Sequence, residues 1–178
     1  MILCAGNNEI FDFALPIGVG LVESAMNLTR LCLFDKPEFI LFVGSAGSYG
    51  KHAIFDIVES KTAANIEVGF LSGSGYTPID NVVSSQTQNV KDTLVNSSNY
   101  ITTSENAMMQ FRSLGLEIEN MEFFSVMRVA QEFNIPAGGV FCVTNYCDSN
   151  AHKDFLANHE KAKELLTQHL QKRSALHV

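Results

Sequence analysis

Short apolar runs alternate with longer amphipathic stretches along this chain, a pattern typical of strands that cross a core and helices that cover it. Strands are predicted at residues 2–5, 11–17, 39–43, 55–60, 99–102, 117–118 and 138–144. Helices are predicted at residues 21–34, 105–113, 122–133 and 153–171. Between residues 62 and 98, frequent Gly, Ser, Asn and Thr predict loops with short strands.

The order of these elements indicates an α/β protein, which we expect to form a three-layer α/β/α fold around a central, mixed, twisted sheet. The 178 residues fit one compact domain. Neither a repeat nor a linker composition interrupts the pattern, so the sequence predicts a single domain over residues 1–178.

Composition and charge narrow the function classes. Hydrophobic residues make up 46% of the chain, yet no apolar run approaches the roughly 20 residues that cross a bilayer. The start of the chain has no basic segment and no apolar run of signal-peptide length, so we expect a cytoplasmic protein without a membrane partner. The net charge of −7, with no basic stripe, argues against a nucleic-acid polymer as partner.

The cysteines do not suggest a metal site. Cys4, Cys32, Cys142 and Cys147 lie in or beside apolar segments and lack the close pairs that zinc sites use. We expect them to be reduced and buried, because free Cys usually behaves as a small hydrophobe. Neither a metal nor a disulfide framework is therefore predicted.

Three segments place glycines or polar side chains at the ends of predicted strands, where open α/β sheets bind ligands. The first contains Gly44, Ser45 and Gly47, directly after the strand that ends at Val43. Glycines there allow backbone N–H groups to point into a concavity, and the serine adds a hydroxyl, so an anion or a sugar is a candidate ligand. A tight turn with no ligand is the alternative.

The second segment is Glu119-Asn120-Met121-Glu122, between the strand ending at Ile118 and the following helix, with Met121 and Glu122 as its site candidates. A carboxylate at this boundary can accept hydrogen bonds from both hydroxyls of a vicinal diol, and a methionine supplies an adaptable apolar floor. The alternative is an acidic helix N-terminus that the helix dipole stabilises.

The third segment contains Thr144 and Asn145 at the end of a buried strand. An asparagine amide has one acceptor and two donors, which suits the edge of a heterocycle. Capping of a turn is the alternative, because Asn is common in turns.

Taken together, these segments resemble the nucleoside phosphorylase-I superfamily in their order and spacing over most of the chain. Residues 17–20 with Ala25 look like that family's Gly-Ile-Gly turn before a helix, and residues 55–58 are similar to its Gly-Asp-Ile-Val. Met121 and Glu122 match the Met-Glu of its hexameric purine phosphorylases and methylthioadenosine nucleosidases. Thr144 and Asn145 look like the Thr-Asn of its trimeric 6-oxopurine phosphorylases.

Three further residues are substrate-binding candidates. By the resemblance, Ser104 begins a segment in the place of the family's Ser-Gly-Asp loop beside the base, whereas Met108 is a candidate for lining the pocket, with core packing as its alternative. His159, within Asn-His-Glu, lies as far beyond Asn145 as a similar histidine of the trimeric branch that reaches the 5′ end of the sugar.

The resemblance implies cleavage of the N-glycosidic bond of a purine nucleoside through an oxocarbenium-like transition state. Glu122 would hold the ribose hydroxyls, and Asn145 would stabilise the leaving base. An amide can donate to O6 and accept from a protonated N7, which favours 6-oxopurines. The resemblance also implies a homo-oligomer, and no cofactor beyond phosphate as a possible co-substrate.

The chain departs from the family in its phosphate-binding residues. Leu41 to Val43 stand where the related phosphorylases usually carry an Arg, and residues 6–9 contain no Arg either. We therefore expect water as the nucleophile, with Glu9 as the group that activates it. Phosphorolysis is the enzymatic alternative, with Arg30, Arg112 or an arginine from a partner subunit reaching the site. A non-catalytic purine-nucleoside-binding protein is the alternative from another class.

Overall fold

A computed structural model of the chain describes residues 1–86 and 92–175. Its strands are β1 (Ile2–Cys4), β2 (Leu15–Pro16), β3 (Ile40–Ser48), β4 (Ile57–Ser60), β5 (Thr62–Ala64), β6 (Val82–Ser84), β7 (Leu94–Ser97), β8 (Ile118–Asn120) and β9 (Ala137–Tyr146). Its helices are α1 (Leu21–Phe34), α2 (Val68–Leu71), α3 (Glu105–Ser113), α4 (Phe123–Glu132) and α5 (Ala151–Ala175).

The strands form one mixed sheet with β3 at its centre. Strand β3 pairs in parallel with β1 and with β9, and its last residues pair antiparallel with β8. The sheet continues from β8 through β7 and β5 to β6, while β4 pairs antiparallel with β9. The carboxyl ends of β1, β3 and β9 consequently meet at one edge of the sheet.

Side chains of β3 alternate between the two faces of the sheet, and helices cover both faces. Phe42 faces the large core that the sheet forms with α1 and α4. Val43 points to the other face, where it packs with Ala162 and Leu166 of α5. Helix α3 covers the remainder of that second face through Phe111. These layers confirm the predicted α/β/α fold with a mixed sheet.

Several predicted elements are confirmed. Helices α1 and α3 have the predicted bounds, and α4 and α5 differ by a few residues at their ends. The four cysteines are free and buried, as expected. Within residues 1–86 and 92–175, no helix is long and apolar enough to cross a membrane.

Three predictions were wrong in detail. The strand predicted at residues 99–102 is irregular, and the neighbouring β7 takes its place in the sheet because it pairs with β5 and β8. Only residues 15–16 of the strand predicted at 11–17 pair in the sheet, with β1. The strand predicted to end at Val43 continues to Ser48, so Gly44 and Gly47 lie inside β3, because β9 pairs with that strand along its whole length.

Candidate active site

A cavity of about 280 Å³ opens at the edge of the sheet where β1, β3 and β9 end. Its wall includes seven residues that the sequence assigned to a site: Glu9, Ser45, Gly47, Met121, Glu122, Thr144 and Asn145. These residues come from separate parts of the chain, and the pairing of β3 with β1 and β9 in parallel and with β8 antiparallel brings them together.

Glu9 reaches the cavity from a tight loop after β1. Its backbone N–H donates to the carbonyl of Gly6 at 2.9 Å, and Asn7 between them has a φ of 53°, which asparagine tolerates better than most residues. Oε1 of Glu9 accepts from the backbone N–H of Ser45 at 3.0 Å and from the Ser45 hydroxyl. The Glu9 carboxylate thereby joins the loop after β1 to the middle of β3.

Gly44 makes room for this carboxylate, although it does not itself line the cavity. A Cβ atom at position 44 would lie 3.1 Å from Oε2 of Glu9, which is closer than ordinary van der Waals contact. Gly44, which was predicted to bind substrate, thus leaves the space that the Glu9 carboxylate occupies.

Glu122 is the N-cap residue of α4 and is 5% exposed. Its Oε1 accepts from the backbone N–H of Gly20 at 2.9 Å. Its Oε2 accepts from Nδ2 of Asn120 and from the backbone N–H of Met121, both at 3.2 Å. Three protein donors therefore hold the carboxylate at the cavity wall, while Met121 lines the wall beside it.

Both carboxylates hold protons more tightly than they would in water. Burial raises the pKa of Glu122 to about 7, and the negative charge of Glu9 adds to this, whereas the N–H groups of Gly20 and Met121 act in the opposite direction. Desolvation likewise raises the pKa of Glu9, and the two hydrogen bonds from Ser45 offset part of the rise. The cavity therefore contains two mutually repelling acids.

Asn145 is fixed by two neighbours. Its Oδ1 accepts from the Thr144 hydroxyl at 2.8 Å, and its Nδ2 donates to the carbonyl of Tyr146 at 3.0 Å. An amide nitrogen has two protons, so these two bonds leave one N–H of Asn145 unused. Thr144 is the extra residue where the β3–β9 register shifts, and such bulges commonly redirect side chains at sites.

Three predicted substrate-binding residues lie away from the cavity wall. The Ser104 hydroxyl accepts from the backbone N–H of Ala107 and caps α3. Met108 packs against the buried cluster around Phe111, which is the core alternative already given for it. His159 stacks on Phe155 with ring centroids 5.3 Å apart. Their placement gives no support to contact with a ligand in this cavity.

Several residues of the wall were not among the sequence's site candidates, among them Tyr100, Ile101, His152 and Phe155, and Glu119 was named in the second segment without a role of its own. Phe155 lies ten positions after Asn145 on α5. It precedes His159 by one helical turn, so the two side chains share one helix face, and this spacing could have indicated Phe155 as a wall residue. Tyr100 and Ile101 were predicted to lie in a strand. In the structure they belong to an irregular segment at the cavity mouth, and for this reason they were not considered as wall residues.

Among the described residues that line the cavity, none is Lys or Arg. Arg112 is exposed and directs Nη1 toward the carbonyl of Gly50, and Arg30 is exposed on α1. The arginines of this chain considered for phosphate binding therefore lie outside the cavity wall.

Known structures share this fold. A futalosine hydrolase mutant from Helicobacter pylori strain 26695 is similar at a TM-score of 0.81 and 18% identity, over 96% of this chain and 95% of that chain. A 5′-methylthioadenosine/S-adenosylhomocysteine nucleosidase from Helicobacter pylori is similar at 0.77 and 19%, over 88% and 76% of the two chains. For an MTA/SAH nucleosidase from Streptococcus pneumoniae the TM-score is 0.76 and the identity 16%, over 95% of each chain.

At these low identities, the TM-scores establish likeness of fold alone. Family membership rests on the sequence itself, since a profile of the phosphorylase superfamily matches residues 13–172. That match includes Ser45, Glu122 and Asn145 and leaves out Glu9, which comes before it. Because the matched range is most of the chain, this protein belongs to the phosphorylase superfamily.

Proposed function

We propose that the protein cleaves the N-glycosidic bond of a purine nucleoside with water as the nucleophile. The observation that carries this proposal is the convergence of Glu9, Glu122 and Asn145 on one cavity. The names of the similar structures, two of them nucleosidases and one a futalosine hydrolase, support the same reaction class.

Glu122 is proposed to bind the ribose diol. Three protein hydrogen bonds use three of the roughly four acceptor positions of a carboxylate, so one remains for a sugar hydroxyl, and the second hydroxyl would replace one of the two longer bonds of 3.2 Å. As the glycosidic bond lengthens, positive charge develops on the ribosyl ring, and the anion stabilises it. Hydrogen bonds that strengthen with developing charge contribute several kcal/mol in comparable glycosyl transfers.

Glu9 is proposed to remove a proton from the attacking water. Ser45 holds Oε1, which leaves Oε2 as the oxygen available to that water. The raised pKa makes this carboxylate a stronger base than one in solution, and a general base works best when its pKa lies near the operating pH.

Asn145 is proposed to stabilise the departing base. Its free N–H can donate to O6 of a 6-oxopurine, and the remaining acceptor capacity of Oδ1 suits a protonated N7. A 6-amino group would instead place a donor against the amide N–H. The geometry therefore favours hypoxanthine- or guanine-type bases as leaving groups.

Water is favoured over phosphate by the occupancy of the anion-binding donors. The N–H of Gly20 already donates to Glu122, and the N–H and hydroxyl of Ser45 donate to Glu9. A phosphate would have to displace a carboxylate from each position and would then lie between two acids, without a Lys or Arg among the described wall residues.

The test is base release from a substrate panel. The purified protein is incubated with inosine, guanosine, adenosine, 5′-methylthioadenosine, S-adenosylhomocysteine and futalosine, with and without phosphate, and the released base is quantified by chromatography. A Glu122→Ala variant purified in parallel controls for contaminating nucleosidases. We expect release without phosphate, fastest from a 6-oxopurine nucleoside.

Each other outcome selects a different function. Release that requires phosphate would establish phosphorolysis and overturn the assignment of water. Absence of release from every nucleoside, together with binding of one of them by calorimetry, would establish a binding protein that is not an enzyme. Equal release by the wild type and the Glu122→Ala variant would remove the central residue of the proposal.

A further inference from the structure

Glu119 is a buried carboxylate in the cavity wall that the proposed reaction does not use. It is 7% exposed and lies on β8, where it faces Gly47 of β3. A Cβ atom at position 47 would lie 3.0 Å from Nδ2 of Asn145 and 3.4 Å from Cγ of Glu119. Glu119 therefore stands on the same side of the cavity as the amide that is proposed to meet the base.

The acceptor capacity of Glu119 is already used by the protein. Oε1 accepts from the backbone N–H of Thr102 at 2.8 Å. Oε2 accepts from the Thr102 hydroxyl and from the Tyr49 hydroxyl, both at 2.7 Å. The Cys147 thiol is a further hydrogen-bond partner, and its pKa is raised first by burial and then by the Glu119 charge. With about four acceptor positions on a carboxylate, little remains for a ligand.

Thr102, which donates two of these bonds, lies in the irregular segment at the cavity mouth. Residues 99–102 of this segment are called the mouth segment below. At its other end, Oδ1 of Asn99 accepts from the backbone N–H of Leu21 at 2.9 Å. The two residues between these anchors, Tyr100 and Ile101, line the cavity while remaining 80% and 51% exposed. Side chains so exposed have little packing of their own to hold them in place.

We infer that Glu119 is a positioning residue for purine recognition, which holds the mouth segment against the base through its double hydrogen bond to Thr102. This inference rests on the proposed function, because it takes the bound group to be a purine. Glu119 would not touch the ligand. It would lower the KM for the nucleoside by keeping Tyr100 and Ile101 in place before the substrate arrives.

The test compares four variants with the wild type in steady-state kinetics and in amide hydrogen exchange of the mouth segment. Glu119→Ala removes both bonds to Thr102, and we expect the KM to rise about tenfold or more with kcat changed less than about threefold. Glu119→Gln should keep the wild-type KM. Its amide oxygen can accept from the Thr102 N–H, and its amide nitrogen can donate to the hydroxyl oxygens of Thr102 and Tyr49, which accept in place of donating.

Two controls separate this positioning from a general loss of stability. Glu117→Ala removes a nearby carboxylate whose partners are Lys51 and His52, away from the cavity wall. Tyr49→Phe removes the third donor to Glu119 and leaves both bonds to Thr102 intact. Both controls should keep the wild-type KM. An equal rise in KM for Glu119→Ala and Tyr49→Phe would overturn the inference.

Hydrogen exchange makes the result independent of turnover. In Glu119→Ala, the amides of the mouth segment should exchange about tenfold faster or more, while those of Glu117→Ala should not. Unchanged exchange would overturn the inference whatever the kinetics show, and faster exchange with an unchanged KM would overturn the link to recognition.

If Glu119→Ala does not fold, Thr102→Val, which removes only the hydroxyl, replaces it with the same criteria. A wild-type protein that releases no base refutes the proposed function, and the exchange data still decide whether Glu119 holds the segment.

Discussion

Oε1 of Glu122 accepts a hydrogen bond of 2.9 Å from the backbone N–H of Gly20, at the N-terminus of α1. The donors at a helix N-terminus carry partial positive charge, so this contact stabilises the ionised carboxylate that burial otherwise disfavours. The residues are separated by 102 positions, and α1 and α4 pack side by side to bring them together.

Replacement of Gly20 by Ala should reduce stability and activity together. Gly20 has φ 84° and ψ 172°, a conformation that is essentially restricted to glycine and costs another residue about 1–3 kcal/mol. An added Cβ would also lie 2.8 Å from Oδ1 of Asn99. We expect the free energy of unfolding to fall by about that amount in urea titrations, and kcat/KM to fall because Glu122 shifts.

Gly69→Ala is the matched control for this substitution. Gly69 lies in α2, its φ is not positive, and an added Cβ would meet nothing within 4 Å. This variant should have wild-type stability and kcat/KM. A Gly20→Ala protein as stable and active as Gly69→Ala would contradict the role assigned to the contact between Gly20 and Glu122.

Glu9→Gln should separate catalysis from binding. The amide keeps the shape of the side chain and can accept from Ser45, but it cannot take a proton from water. We expect kcat to fall by about 10²- to 10⁴-fold, the usual contribution of a general base, with the KM within about threefold of wild type. Single-turnover base release measured by rapid quench is the decisive measurement.

Asp12→Asn controls for the loss of a negative charge from the same loop. Asp12 is exposed and lies outside the cavity wall. Its replacement should leave kcat unchanged. A similar loss of kcat in both variants would show that the loop tolerates no substitution, and a wild-type kcat in Glu9→Gln would remove Glu9 from the mechanism.

The parts of the fold that follow from local sequence were predictable. Helix α3 begins after Ser104, whose hydroxyl caps it, and α1 ends before Lys36-Pro37. Both boundaries are therefore determined by residues next to them in the sequence. The strand predicted at residues 99–102 was wrong because the sheet uses β7 instead, through pairing with β5 and β8, which lie elsewhere in the chain. Residues 99–102 have the stronger strand propensity but no partner strand.

The same distinction applies to the site. Glu122 and Asn145 were found because each belongs to a short motif that ends a strand, and the strand topology then places them on one cavity. Glu119 belongs to the same segment as Glu122, but its separate role was not predicted because its partners, Tyr49 and Thr102, are 70 and 17 positions away. No local pattern distinguishes a carboxylate that binds a ligand from one that the protein itself occupies.

Asn145→Asp should change the preferred base. The new carboxyl would place an oxygen where Nδ2 now donates to the Tyr146 carbonyl at 3.0 Å, which favours a protonated or reoriented group. Such a group can accept from a 6-amino substituent and deliver a proton to N7. We expect the ratio of kcat/KM for inosine to that for adenosine to fall about tenfold or more, because one hydrogen bond to the base is reversed.

Competition between the two nucleosides in one reaction measures this ratio directly. Thr144→Val is the control, since it removes the hydroxyl that donates to Oδ1 of Asn145 and leaves the amide in place. It should lower the rate with both nucleosides and change their ratio less. An unchanged ratio in Asn145→Asp would mean that Asn145 does not contact the purine at its 6-position.

The pKa of Glu122 makes folding stability depend on pH. The carboxyl has a pKa of about 7 in the folded protein against an ordinary value of 4.5. Between these values the folded state binds more protons than the unfolded state, so this group's contribution to stability is full below pH 4.5 and is lost as the pH rises through 7. Glu122→Gln removes this dependence, because its amide does not titrate.

We therefore expect the wild type to lose about 2–3 kcal/mol more stability than Glu122→Gln between pH 5 and pH 8. Urea unfolding at each pH measures the difference, and a constant offset from altered hydrogen bonds cancels in the comparison. Glu105→Gln neutralises an exposed carboxyl in the first turn of α3 and should follow the wild-type curve. Glu9 also has a raised pKa, so some decline should persist in Glu122→Gln. Parallel curves for Glu122→Gln and the wild type would mean that Glu122 ionises in the folded protein as freely as in the unfolded chain, and that burial does not govern its charge.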